Sequence, residues 1–158
     1  MFVFVRTLVY ATTFVGALLV FLPRLVLPGA SLTRPETLGA PQVAGMAVTA
    51  AGAALVLWCL SSFVFIGKGT PAPFDPPRRL VVRGPYRFVR NPMYIGAGLA
   101  LVGAALFYRS SGLLVYAGAF LLVLHLFVVF YEEPTLERLF GEDYAAYGRR
   151  VRRWLPRA

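Results

Sequence analysis

Apolar positions along this chain do not alternate with polar ones at the period of a strand or a surface helix. They come in long uninterrupted runs. Residues 43–66 are 24 positions without a charge, and 110–131 are 22. Each is long enough to cross a hydrocarbon core of about 30 Å at about 1.5 Å per residue. Residues 93–108 make a shorter run of 16, and 7–22 another of 16, extended across Arg6 by apolar residues 2–5. An arginine so close to the end of a span can snorkel to the interface. The pattern predicts an all-α polytopic membrane protein of one domain, with four transmembrane helices at about 2–22, 43–66, 93–108 and 110–131. A cleaved signal peptide is a poorer account of the first run: Arg6 is its one positive charge, and no small-x-small site follows before Pro28.

After the last run the period changes. Leu136, Phe140, Tyr144, Tyr147 and Val151 recur at steps of 4, 4, 3 and 4, with Arg138, Glu142, Arg149 and Arg150 on other faces. This predicts a C-terminal cytoplasmic amphipathic helix, bent or interrupted at Gly141. A basic amphipathic segment just past a span ordinarily lies on the anionic inner leaflet.

Composition agrees with lipid as the solvent. Counting Gly but not Tyr, about 63% of residues are apolar, against about 45–50% in soluble domains. Charged residues are 15% and the formal net charge is +9. The basic residues lie between the apolar runs rather than over a soluble surface, which excludes a nucleic-acid partner as their explanation. Thirteen of the 16 fall on one side of the predicted membrane, in 67–91, in the tail and at Arg6; Arg24, Arg34 and Arg109 fall on the other. By the positive-inside bias, both termini and the 67–91 loop are cytoplasmic, in a plasma (inner) membrane. One cysteine excludes an internal disulfide and any Cys-based zinc site, and no metal is expected.

Two features exceed what insertion requires. In the first, Asn91 is suited to cap the third helix and Pro92 to open it, leaving the N–H groups of Met93 and Tyr94 at the cytoplasmic boundary. A helix start of this kind suits a carboxylate or phosphate. Gly96 and Gly98 then permit contact with backbone, by a ligand or by a neighbouring helix along a ridge of Gly96, Ala100 and Ala104. The second feature is Glu132-Glu133 at the cytoplasmic end of the fourth span. Adjacent carboxylates are unfavourable at a helix C-terminus and costly near lipid unless a cation pairs with them. That cation is either an arginine of the central loop or a ligand; alternatively Glu133-Pro134 simply opens the tail helix. A ligand carrying a cation, a carboxylate and a flat ring would suit this face, and S-adenosylmethionine is one.

The pattern Gly84-Pro85-Tyr86-Arg87-x-x-Arg90-Asn91-Pro92-Met93-Tyr94-x-Gly96, then Glu132-Glu133-x-x-Leu136-x-x-x-Phe140-Gly141-x-x-Tyr144-x-x-Tyr147, resembles the isoprenylcysteine carboxyl methyltransferase and phospholipid methyltransferase superfamily. The resemblance covers roughly 78–156. It implies a membrane enzyme that takes S-adenosylmethionine from the cytosol and a lipid or lipophilic acceptor from the bilayer. The family's cofactor residues would fall on Arg78, Arg79, Leu80, Val81, Tyr86, Asn91, Pro92, Met93, Tyr94, Glu132 and Glu133, with Gly96 and Gly98 added from the phospholipid branch. The prenylcysteine enzymes carry an arginine about a turn before the Glu pair; here Phe127-Val128-Val129-Phe130 is apolar, which counts against a prenylcysteine carboxylate. His125, the one titratable group inside the spans, lies seven residues before Glu132 on the same helical face, where it could orient or deprotonate an acceptor. Cys59 reads as a small hydrophobe, and Trp154 as a packing or interface residue.

Two alternatives belong to other classes. A membrane reductase of the sterol-reductase type would bind NADPH through the arginines but leave the Glu pair without a partner. A non-catalytic four-helix membrane protein would need neither Tyr86 nor the Glu pair.

Overall fold

The computed structural model describes Val9, Thr13, Pro35 and residues 16–26, 37–67 and 78–156. Most of the first predicted span lies outside the described residues. Its far end is helical over 17–26 (α1), in a π turn at Ala17–Phe21 that runs on into Leu22–Val26. The remaining elements are α2 (Ala40–Ser62, continued by a π turn at Phe63–Gly67), a 3-10 turn (Gly84–Arg87), α3 (Pro92–Tyr108), α4 (Ser111–Phe127), α5 (Glu133–Phe140) and α6 (Glu142–Arg150). The described residues contain no strand, only one parallel bridge between Val89 and Arg152.

Among the described residues two helices are long and apolar enough to cross a membrane: 40–67, and 111–140, in which α4 and α5 are joined through a π turn at Val128–Glu132. The shorter α3 is equally apolar. Large apolar side chains point outward, with Phe65 77%, Val115 73% and Phe130 76% exposed. In water such an apolar surface would be a liability; in lipid it costs nothing.

Local chemistry explains the helix ends. Gly39 precedes α2, and the Gln42 side chain accepts the Gly39 N–H at 3.1 Å. Between α3 and α4, Arg109 takes the left-handed conformation (φ 51°) and Ser110 Oγ accepts the Leu113 N–H at 3.3 Å, closing a tight hairpin.

Helices α2 and α3 pack closest. A Cβ on Gly52 would lie 2.5 Å from the Gly96 carbonyl oxygen and 2.7 Å from the Ala100 amide nitrogen. Backbone meets backbone here, so neither side can yield. The small-residue ridge on α3 is therefore Gly96, Ala100 and Gly103, with Gly103 against Thr49 and Gly45, in place of the expected Ala104. Gly52→Ala should force the helices apart and cost about 3 kcal/mol, the upper end for overpacking. The check is thermal unfolding in detergent beside Gly118→Ala. Gly118 has nothing within 4 Å, so that control should be neutral or slightly stabilising.

The tail departs from expectation. Gly141 (φ 52°) breaks it into α5 and α6, and its apolar stripe does not lie free on a membrane surface. Tyr144 and Tyr147 are buried against the protein, and the Tyr147 hydroxyl donates to the Tyr86 carbonyl at 2.6 Å. The chain beyond α6 runs beside the entry to α3: the Arg90 N–H donates to the Arg152 carbonyl (2.8 Å) and the Asn91 N–H to the Arg153 carbonyl (3.2 Å).

Candidate functional site

The two candidate motifs meet where α3 begins and α4 gives way to α5. Pro92 opens α3 as expected, and Asn91 occupies the cap position, but its side chain makes no cap bond. Its amide instead donates to the Arg153 carbonyl at 3.4 Å, tying the helix start to the tail. One turn in, the Tyr94 hydroxyl donates to Glu132 Oε2 at 2.7 Å. That is the usual length of an O–H···O hydrogen bond.

The adjacent carboxylates have different surroundings. Glu133 is 7% exposed and neutralised twice. Arg153 donates Nε to Oε1 at 2.8 Å and Nη2 to Oε2 at 2.7 Å, a bidentate pair, and Arg90 Nη2 stands 3.1 Å from Oε1. Arg90 is itself held by the Tyr144 hydroxyl, 3.4 Å from Nη1, while its buried Nε has no acceptor among the described residues. Glu132 has Tyr94 alone: no cationic side chain among the described residues pairs with it.

Tyr86 lies in the same neighbourhood. It is buried with Val81 and Cys59, with Met93 and Phe63 against them; the Phe63 ring meets it edge-on, centroids 5.5 Å apart at 89°. Burial first, then Cys59, and more weakly Glu132 and Tyr94, hold its phenol well above the usual value, so it stays protonated.

The other predicted residues divide. Val81 belongs to the Tyr86 cluster and Leu80 is half-buried, but Arg78 and Arg79 are exposed and no contact brings their side chains to the Glu132 carboxylate. The face of Gly96 is filled by Gly52 and Val56 of α2, and Gly98 is covered by Leu121 of α4. Gly96 lets α2 and α3 close on each other, and that face is not open to a ligand; Gly98, under Leu121, also borders a groove between α3 and α4. His125 does not share the surroundings of Glu132. A wider π turn separates them and alters the register, and the His125 ring accepts from Trp154 Nε1 at 3.1 Å through Nδ1. Arg153, the main partner of Glu133, carries no local signal in the sequence, whereas Trp154, expected to pack or lie at an interface, packs against His125. Arg90 did stand in the quoted motif.

Apolar helices with apolar side chains outward, and a polar cluster gathered at one end of them, are the marks of a helical membrane protein. The chain belongs to the phospholipid methyltransferase family, whose model matches residues 40–143. That match spans α2 to the start of α6; it includes the first motif and the Glu pair, and ends before Tyr144 and Tyr147. No curated protein matches the chain. Family and fold together make this a membrane methyltransferase of a lipid-modifying family. The reductase alternative finds no support in the match.

Proposed function

We propose that the protein transfers a methyl group from S-adenosylmethionine to a lipid or lipophilic acceptor in the bilayer. The observation that carries this is the asymmetry of the Glu pair. A carboxylate at a membrane boundary with no cationic partner among the described residues is costly unless a cation completes it, and its neighbour shows what completion by arginine looks like. The donor set therefore fits a cationic cofactor. Glu132, oriented by Tyr94, would take its positive end, and Tyr86, Asn91, Pro92 and Met93 would complete the binding surface, with 78–81 beside them. When bound, S-adenosylmethionine supplies an already activated methyl group, so the protein's own contribution is to hold the acceptor in line and exclude water. Glu133 acts differently: it fastens the tail to the start of α3.

The remaining architecture is part of the same proposal. The chain forms one domain with its cofactor half in 78–156, four spans counting the N-terminal one, and both termini with the 67–91 loop on the cytoplasmic side of the plasma membrane. The distribution of basic residues supports this orientation. The apolar 127–130 stretch favours a phospholipid-type acceptor over a prenylcysteine carboxylate.

The test is calorimetry on the protein purified in detergent, with S-adenosylmethionine, its demethylated product and NADPH, followed by a labelled-methyl assay on a total lipid extract. We expect micromolar affinity for the first two, typical of enzyme ligands at about 1 μM–1 mM. Binding of NADPH without S-adenosylmethionine would overturn the proposal.

A further inference from the structure

A groove of about 490 Å³ lies between α3 and α4. Gly98 and Val102 form one wall, Leu121 and Leu122 the other, and His125 with Trp154 close one end. That size lies within the range of about 300–1,000 Å³ for ligand sites. Its depth depends on Gly98, whose missing side chain lets Leu121 settle onto α3; a Cβ there would stand 2.8 Å from Leu121 Cδ2. His125 is its one polar side chain besides the Trp154 indole, and the two satisfy each other: the indole N–H is a donor only, so Nδ1 accepts and the ring proton sits on Nε2. What remains is apolar.

The groove merges with the lipid-facing surface, since Leu99 and Leu122 on its rim are exposed, 36% and 59%. Its closed end is tied to the cofactor side by consecutive residues. Trp154 caps the groove, while Arg153 grips Glu133, next to Glu132. From Ile95 at that end to Val102, the groove follows two turns of α3, about 10 Å at about 1.5 Å per residue, away from Tyr94 and Glu132. An apolar groove that starts beside a methyl-transfer site and opens into the hydrocarbon suits the tail of an acceptor whose head is to be methylated.

We propose that this groove seats one hydrocarbon chain of a membrane lipid acceptor, with the Trp154–His125 pair as the stop that sets where the chain begins. The inference rests on the reading of the protein as a lipid methyltransferase. It is tested with Trp58→Phe protein, which leaves Trp154 as the sole tryptophan, reconstituted in phosphatidylcholine nanodiscs with and without bromine on the acyl chains near the carbonyl end. Bromine quenches tryptophan on contact. We expect Trp154 to be quenched, and Val102→Phe, which fills the groove, to remove the part of that quenching that exceeds what bulk lipid gives. Leu122→Phe, on the exposed rim, makes the same comparison should Val102→Phe fail to fold. Equal quenching in parent and filled variants would mean that bulk lipid alone reaches Trp154, and would overturn the proposal. Calorimetry with S-adenosylmethionine on the same samples separates the two ideas: loss of the contrast with binding intact overturns the groove alone, whereas the contrast without binding supports the groove and overturns the cofactor reading.

Discussion

Glu132→Gln should abolish most S-adenosylmethionine binding while leaving the fold intact. The amide oxygen can still accept the Tyr94 hydroxyl, which now stands 2.7 Å from Oε2, so the local geometry has no reason to change. Only the charge is lost. Removing one partner of a buried ion pair costs about 3–5 kcal/mol, and the lower figure already lowers affinity more than 100-fold. The protein without cofactor should melt no lower than the parent, because a carboxylate with no cationic partner among the described residues is a cost to the fold rather than a support. Tyr94→Phe keeps the carboxylate and removes its donor, so a smaller loss of about tenfold is expected. The demethylated product, a neutral thioether, tells which cation Glu132 meets. A loss confined to S-adenosylmethionine assigns the sulfonium, and equal losses assign the amino group. Parent-like binding by Glu132→Gln would end the assignment.

Glu133→Ala should show the opposite profile, a large loss of stability. The mutation removes a 7%-exposed carboxylate that serves two arginines. Arg90, whose side chain is 14% exposed and whose Nε is already without an acceptor, would be left buried without an anion. The tail would lose the bidentate grip of Arg153 beside its backbone bonds to Arg90 and Asn91. The cost expected for such a break is about 3–5 kcal/mol, which in a chain of this length lowers the melting temperature by about 10 °C or more. Arg153→Ala should do less harm, since that side chain is 40% exposed and Arg90 remains opposite Glu133. Melting curves in detergent for the Glu132 and Glu133 variants decide the matter. A Glu133→Ala protein that melts like the parent would show that the ion-pair cluster does not hold the tail in place.

Much of the fold was legible because lipid imposes a simple rule on sequence. A helix that must satisfy its own backbone and face hydrocarbon reads as a long apolar run, and 43–66 and 93–108 differ from the observed α2 and α3 by only a few residues. The fourth span was cut short at 131 because the charges at Glu132 and Glu133 end the apolar run. The backbone ignores that boundary and stays helical to Phe140, relieving the join with a π turn before Pro134. Gly141 was recognised as a break. That the apolar stripe around it would dock on the 84–90 loop instead of lipid was not, because helical period reports an apolar face but not what covers it. The site was legible as a set of residue types. Glycines 96 and 98 leave packing and ligand contact open in the sequence; in the fold α2 fills the face of Gly96, and Leu121 of α4 touches Gly98.

From the order of residues alone came the membrane character, the succession of apolar helices, the Asn91-Pro92 helix start and the two motifs that belong together, since each is a local property of composition or spacing. Tertiary structure decided which member of an otherwise identical Glu pair is spent on arginines and which has only a tyrosine partner among the described residues. That outcome depends on where Tyr94, Arg90 and Arg153, separated from the pair by tens of residues along the chain, come to rest around it; charge neutralisation is a matter of distance in space, and no local pattern encodes it.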